Sequence, residues 1–130
     1  MDIKIGEYVR TKSGFIGKVI GRHGGYGLHY ELDVNKEIQE NFMNSIVHED
    51  NIVKHSKNII DLIEVGDYVN GYRIDNIING VLVNRAVGID RSGALTPIVQ
   101  YEQDIKTILT KERYMQNCYT VEGKEEWKKI

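Results

Sequence analysis

Cysteine, proline and tryptophan occur once each among 130 residues. With Cys118 alone, no internal disulfide can form and a cysteine-based zinc site is excluded. No basic cluster or helix start is expected around Cys118 to activate it, so it reads as a small buried hydrophobe. A reducing, cytosolic setting is the simplest reading. No apolar run approaches the roughly 18 residues that span a bilayer. The opening Met1-Asp2-Ile3-Lys4-Ile5-Gly6 shows neither the basic nor the apolar stretch of a secretory leader. An excess of one charge is missing too. Lys+Arg number 17 against 19 Asp+Glu, a formal net charge of −2. The broad basic footprint of a general nucleic-acid binder is therefore absent. Disorder is excluded by 41% hydrophobic residues and the small net charge.

The strongest pattern present is a short internal repeat. Ile5-Gly6-Glu7-Tyr8-Val9 recurs as Val65-Gly66-Asp67-Tyr68-Val69, an offset of 65 − 5 = 60 residues. Each copy reads as a glycine-relaxed entry into a half-buried strand, by duplication or by convergent use of one motif. A hairpin is predicted after each. Lys12-Ser13-Gly14 supplies the first turn, and Asn70-Gly71 is the preferred pair for a two-residue type I′ turn. Further short strands are expected at 15–20, 28–34, 81–85, 94–96, 98–101 and 105–109. Asn79-Gly80 and Ser92-Gly93 mark turns among them. Such a run of short strands signals a small barrel or sandwich.

Two segments read differently. Ile38, Phe42 and Met43 suggest a short amphipathic helix or irregular insertion across 35–44. Thr110 is an expected N-cap for a helix over 111–117, with Glu112 in its first turn and Tyr114 and Met115 facing inward. The domain organisation predicted is 1–54 as a β barrel with an insertion, 55–121 as a second small β unit with a terminal helix, and 122–130 as a polar tail in which Trp127 could dock. The fold class is mainly β (β-rich α+β), with the two halves packed together.

Val9, Gly14, Gly17 and Val19 make the first hairpin resemble the opening of an SH3-like barrel of the KOW type. The wider layout is similar to small proteins of phages and prophages of low-GC Gram-positive bacteria. It runs from this start through 52–63 and Val65-Gly66-Asp67-Tyr68-Val69-Asn70-Gly71-Tyr72 to Ile108-Leu109-Thr110-Lys111-Glu112. Residues 21–49 look like an elaboration. The resemblance implies a cytosolic, phage-associated accessory protein and carries no catalytic residues. Such proteins often act by binding and inhibiting host defence components.

The search for chemistry yields few candidates. His48-Glu49-Asp50 with His55 fits no metal-ligand spacing, so no metal or other cofactor is expected. The acids Asp61, Glu64, Asp67, Asp75 and Asp90 form no spacing that forces an acid–base pair, so no enzyme is predicted. Gly21-Arg22-His23-Gly24-Gly25-Tyr26-Gly27 can form an anion-binding loop or a plain hairpin loop. It lacks the Gly-Lys-Ser/Thr of a Walker loop. Arg22, His23, Tyr26, Tyr72, Arg73, Arg85 and Arg91 are the candidate partner- or ligand-binding residues, because Tyr and Arg combine contact area with polar reach. Tyr30 and Tyr101 are further surface candidates, and Tyr8 and Tyr68 are assigned to the core. The favoured function is binding and inhibition of a host defence protein, with no membrane involved. The alternatives are a sponge for a nucleotide signal, built as a homo-oligomer, and a KOW-like nucleic-acid module using Arg10, Lys12, Lys18 and Arg22.

Overall fold

Alternation of apolar and polar residues builds the first sheet. A computed structural model describes residues 2–24, 28–33, 46–89 and 91–118. Strands β1 (Tyr8–Thr11), β2 (Ile16–His23), β3 (His29–Asp33) and β4 (Ile46–His48) form an antiparallel meander. A 3-10 turn at Glu49–Asn51 then feeds β5 (Ile52–Ser56), which returns to pair with β1. The strand order is β4-β3-β2-β1-β5. Its inner face buries Ile3, Val9, Val19, Tyr30, Leu32 and Ile52. Each such large side chain contributes roughly 1.5–3 kcal/mol by leaving water.

The second half divides its strands between two three-stranded sheets. Strands β6 (Tyr68–Val69) and β7 (Tyr72–Arg73) form a hairpin. β8 (Asn76–Ile78), β9 (Val81–Ile89) and β10 (Leu95–Gln100) form a meander. A 3-10 turn at Glu102–Asp104 precedes β11 (Ile108–Leu109), which returns to β6. Ile63, Val69, Ile74 and Leu82 make its core. Asn70 and Gly71 have φ of 53° and 84°, the two positive values that a type I′ turn needs. Pro97 cannot donate to a ladder, and the β9–β10 register shifts between Thr96 and Ile98. Among the described residues the protein is mainly β, with three antiparallel sheets and one short α-helix. No helix among them is long and apolar enough to cross a membrane.

The repeat extends beyond the five matching residues to the hydrogen bonds that shape them. Gly6 and Gly66 have φ of +97° and +98°. Each donates its N–H at 2.9 Å to the strand that follows, to Val19 and Ile74 respectively. The carbonyls of Glu7 and Asp67 accept back from Val19 and Ile74 at 2.8 Å. The carboxylates of Glu7 and Asp67 also take the N–H three residues earlier, from Lys4 at 2.5 Å and Glu64 at 2.8 Å. Ile3 and Ile63 are both buried. The motif is therefore seven residues long, Ile3–Val9 and Ile63–Val69.

Helix α1 (Lys111–Asn117) forms as predicted, with Thr110 Oγ1 accepting the Arg113 N–H at 3.3 Å. Its orientation differs from expectation. Tyr114 and Met115 are 37% and 40% exposed, because the helix docks through Thr110, Glu112 and Arg113 instead. Only Ile108–Leu109 of the predicted strand over 105–109 forms a ladder. Tyr30 is fully buried, not on the surface, since it alternates with the exposed side of β3. Tyr8 and Tyr68 are half-buried, and the valine after each fills the core instead. The amphipathic segment at 35–44, Trp127 and the tail lie outside the described residues.

Gly14 gives a direct test of how α1 is seated. It has φ +91°, and a Cβ there would meet Thr110 Oγ1 at 2.4 Å and Glu112 Cβ at 2.9 Å. Gly71 shares the left-handed backbone but faces open space. Gly71→Ala is expected to cost about 1–2 kcal/mol from backbone strain alone. Gly14→Ala is expected to cost roughly 1 kcal/mol more than that through overlap with the helix start. Urea unfolding of both variants checks the difference.

Candidate functional site

Arg10 lies on β1 with its side chain fully buried, where an isolated charge would be prohibitive. Both terminal nitrogens are hydrogen-bonded, whereas the buried Nε has no hydrogen-bond partner. Its Nη1 donates to Leu62 O at 3.0 Å and to Asp67 Oδ2. Its Nη2 reaches Asp67 Oδ1 at 2.9 Å and the two Glu112 oxygens at 3.0 and 2.7 Å. Its Nε is 3.5 Å from Glu64 Oε2. Burial alone would lower the Arg10 pKa, but the Asp67 and Glu112 carboxylates outweigh it and push it up. Asp67 also accepts the N–H of Glu64 at 2.8 Å and of Lys111 at 2.9 Å. One strand of the first half, the repeat motif of the second half and α1 thus meet at a single guanidinium.

Helix α1 clasps both halves around this centre. Toward the first half, Thr110 Oγ1 donates to Gly14 O at 2.7 Å, Gln116 donates to Ser13 O at 2.9 Å, and Arg113 stacks 4.2 Å from the Phe15 ring. Toward the second, Lys111 Nζ bonds Glu64 at 2.8 Å and Tyr114 stacks on Tyr68 at 5.0 Å. Hydrogen bonds with Cys118 and Tyr68 push the Tyr114 hydroxyl up to about 12. Sequence reasoning offers Arg10 to a basic surface patch only in the alternative nucleic-acid reading. Its burial corrects that reading, and a nucleic-acid surface built on Arg10, Lys12, Lys18 and Arg22 loses its first member. It also treated Glu64 and Asp67 as scattered, whereas Arg10 gathers both.

Beside this seam runs a cleft of about 630 Å³. It is lined by Tyr8 and Ile16 from the first half, by Lys57 and Ile59 from the connection, and by Ile105, Lys106 and Ile108 from the second half. Lys57 and Lys106 are exposed. The volume lies within the range of small-ligand and side-chain pockets, and Tyr8 and the four isoleucines share the lining with Asn58, Glu102, Thr107 and the two lysines. No residue proposed from sequence lines it, because the cleft exists only where the halves meet.

The predicted binding residues fall on different surfaces. Arg22 and His23 are exposed on β2, with the Arg22 guanidinium 5.9 Å from the Tyr30 ring. Tyr72 and Arg73 occupy the β7 edge, and Arg73 stands opposite Tyr68. Asn84 on β9 donates to Arg73 O at 2.8 Å, and the exposed Arg85 beside it faces the other side of the strand, its N–H bonded to Asp75 at 2.9 Å. Arg91 lies in the turn before β10 and is exposed. Tyr26 lies outside the described residues. His48 and His55 are on different strands. His48 accepts the Asp50 N–H, whereas His55 pairs with Glu7 at 3.1 Å. Among the described residues no three His, Cys, Asp or Glu side chains converge closely enough to hold a metal ion as they stand. Comparison with protein-family models, with curated proteins and with solved structures found no match.

The ion pairs at the seam set the acid behaviour. Burial would raise Glu64, but the Lys111 hydrogen bond and the charges of Arg10, Lys54 and Lys111 hold it below its ordinary 4.5. The Lys4 N–H, opposed by burial and aided by His55, does the same for Glu7. A depressed carboxylate contributes stability that is complete above its unfolded value and lost as pH falls through its folded value. Stability is therefore expected to decline as pH drops below about 4.5. Glu64→Gln should be less stable than wild type at pH 7 and should lose less on acidification. Urea midpoints at pH 7, 5, 4 and 3 check this, and parallel curves for the two proteins would contradict it.

Proposed function

We propose that this chain is a non-enzymatic, phage-type accessory protein that binds a host defence protein and blocks it. The observation that carries this reading is the cleft at the seam, where four isoleucines and the Tyr8 ring lie beside two exposed lysines, Glu102 and the polar Asn58 and Thr107. The ionisable groups the fold gathers are consumed in holding the halves together. What remains open is a recognition surface. Such a cleft suits a protein segment carrying an apolar anchor beside acidic residues. The strand order of the first sheet, with a 3-10 turn before a fifth strand that returns to the first, supports the SH3-like barrel reading. That likeness bears on fold and leaves function to the site. A host cytosol is the setting this reading requires.

The test is capture of the partner by the tagged protein from a lysate of a low-GC Gram-positive host, read by mass spectrometry. One host protein at near-equal amount is expected. The double variant Lys57→Glu/Lys106→Glu should weaken its binding by about tenfold or more while leaving the thermal midpoint nearly unchanged. Unchanged binding in that variant would remove the cleft from the interface. Recovery of small nucleotides alone would replace this reading with that of a nucleotide sponge.

A further inference from the structure

Three of the four histidines form one row across the first sheet. His23 on β2 stands directly opposite His29 on β3, and His29 stands directly opposite His48 on β4. Opposed residues in an antiparallel pair share a face, with Cβ atoms about 4.5–5.5 Å apart. The row lies outside the core, since Tyr30 and Leu32 of β3 point inward. A β-bulge puts His23 there. The β2–β3 register passes from Val19↔Leu32 to Gly21↔Glu31 and leaves Ile20 without a partner. Strict alternation would have placed His23 on the face of buried Val19, and the extra residue turns it to the other side.

The surroundings of the row are polar and open. His29 and His48 meet edge to face, with ring centroids 4.8 Å apart. His23 Nε2 is 3.5 Å from Glu31 Oε2, and these side chains are 58% and 44% exposed. Gly21 makes room for them, because a Cβ there would lie 3.0 Å from Glu31 Oε2 and 3.5 Å from His23 Nε2. His48 Nδ1 lies 3.4 Å from Asp50 Oδ2.

We propose that His23, His29 and His48 bind one divalent transition-metal ion of the zinc class, with the remaining position open to water. Imidazole nitrogens suit such an ion at about 2.0–2.1 Å. The three rings do not converge on one point as they stand. Closure requires His23 to leave its exposed pairing with Glu31 and rotate toward the other two. His48 Nδ1 accepts the Asp50 N–H at 3.1 Å in this structure, so binding through Nε2 requires the proton to move to Nδ1 and that hydrogen bond to give way to one with the Asp50 carboxylate, 3.4 Å away, an outer partner of the kind that orients metal-bound histidines. The ion would clamp three strands together at the end of the sheet where β2 finishes and β3 begins.

The test uses the full chain without an affinity tag, freed of metal by chelator dialysis. Zn²⁺ is titrated by calorimetry, and Co²⁺ by visible absorption. One equivalent should bind, and the thermal midpoint should rise with Zn²⁺ concentration. His23→Gln and His48→Gln should each weaken binding about tenfold or more, as should His29→Gln if circular dichroism shows it folded. His55→Gln, at the far edge of the sheet on β5, should bind as wild type does. No saturable uptake, unchanged affinity in His23→Gln and His48→Gln, or equal loss in His55→Gln would each overturn the proposal.

Discussion

The Arg10–Asp67 pair is the constraint on which the arrangement of the protein depends. Both side chains are fully buried. Removing a charge from water costs several kcal/mol even after relaxation, so neither residue could occupy its place without the other. Arg10 belongs to the first sheet, Asp67 to the second repeat motif, and Glu112 to the helix that closes over both. The two halves cannot separate without exposing or orphaning these charges. The cleft beside the seam inherits its shape from this pairing, since its lining comes from both sides.

The repeat explains why such a junction is available. Each seven-residue motif folds into the same turn, and in each the acid accepts an N–H from three residues back. In the first copy that acid, Glu7, then pairs with His55 within its own half. In the second the acid is Asp67, and it reaches the other half. The residue after the motif has diverged in a matching way. Arg10 leaves its own half for the seam. Asn70 stays at home, bonding Gln100 at 2.6 Å and receiving the N–H groups of Lys106 and Thr107 at 2.8 and 3.0 Å. One seven-residue motif, present twice, closes on its own half in the first copy and supplies the connector in the second.

What the sequence made legible was local. Asn70-Gly71, Thr110 as N-cap and the alternation in 28–34 depend on neighbours a few residues away, and turn chemistry and periodicity capture them. The seam depends on partners 57 and 102 residues apart, which no local pattern encodes. Arg10 carried one clue, a charge set between Val9 and Thr11 in a strand whose neighbours are buried. The histidine row was hidden for another reason. Simple alternation places His23 on the wrong face, and only the bulge at Ile20 sets it beside His29. Tyr114 and Met115 stay exposed because α1 docks mainly through its capping end and Arg113, with Tyr114 only stacked at the surface on Tyr68.

A double-mutant cycle on Arg10→Met and Asp67→Asn, with stability measured by urea unfolding, tests the central claim most directly. Each single change should be strongly destabilising, by about 3–5 kcal/mol for Arg10→Met, which strands Asp67 and Glu112. The double variant should be more stable than the sum of the two losses allows, with a coupling of about 1–3 kcal/mol and a single cooperative transition in the wild type. Losses that add within about 0.5 kcal/mol would contradict the account, because the two halves would then be held together by something other than this pair.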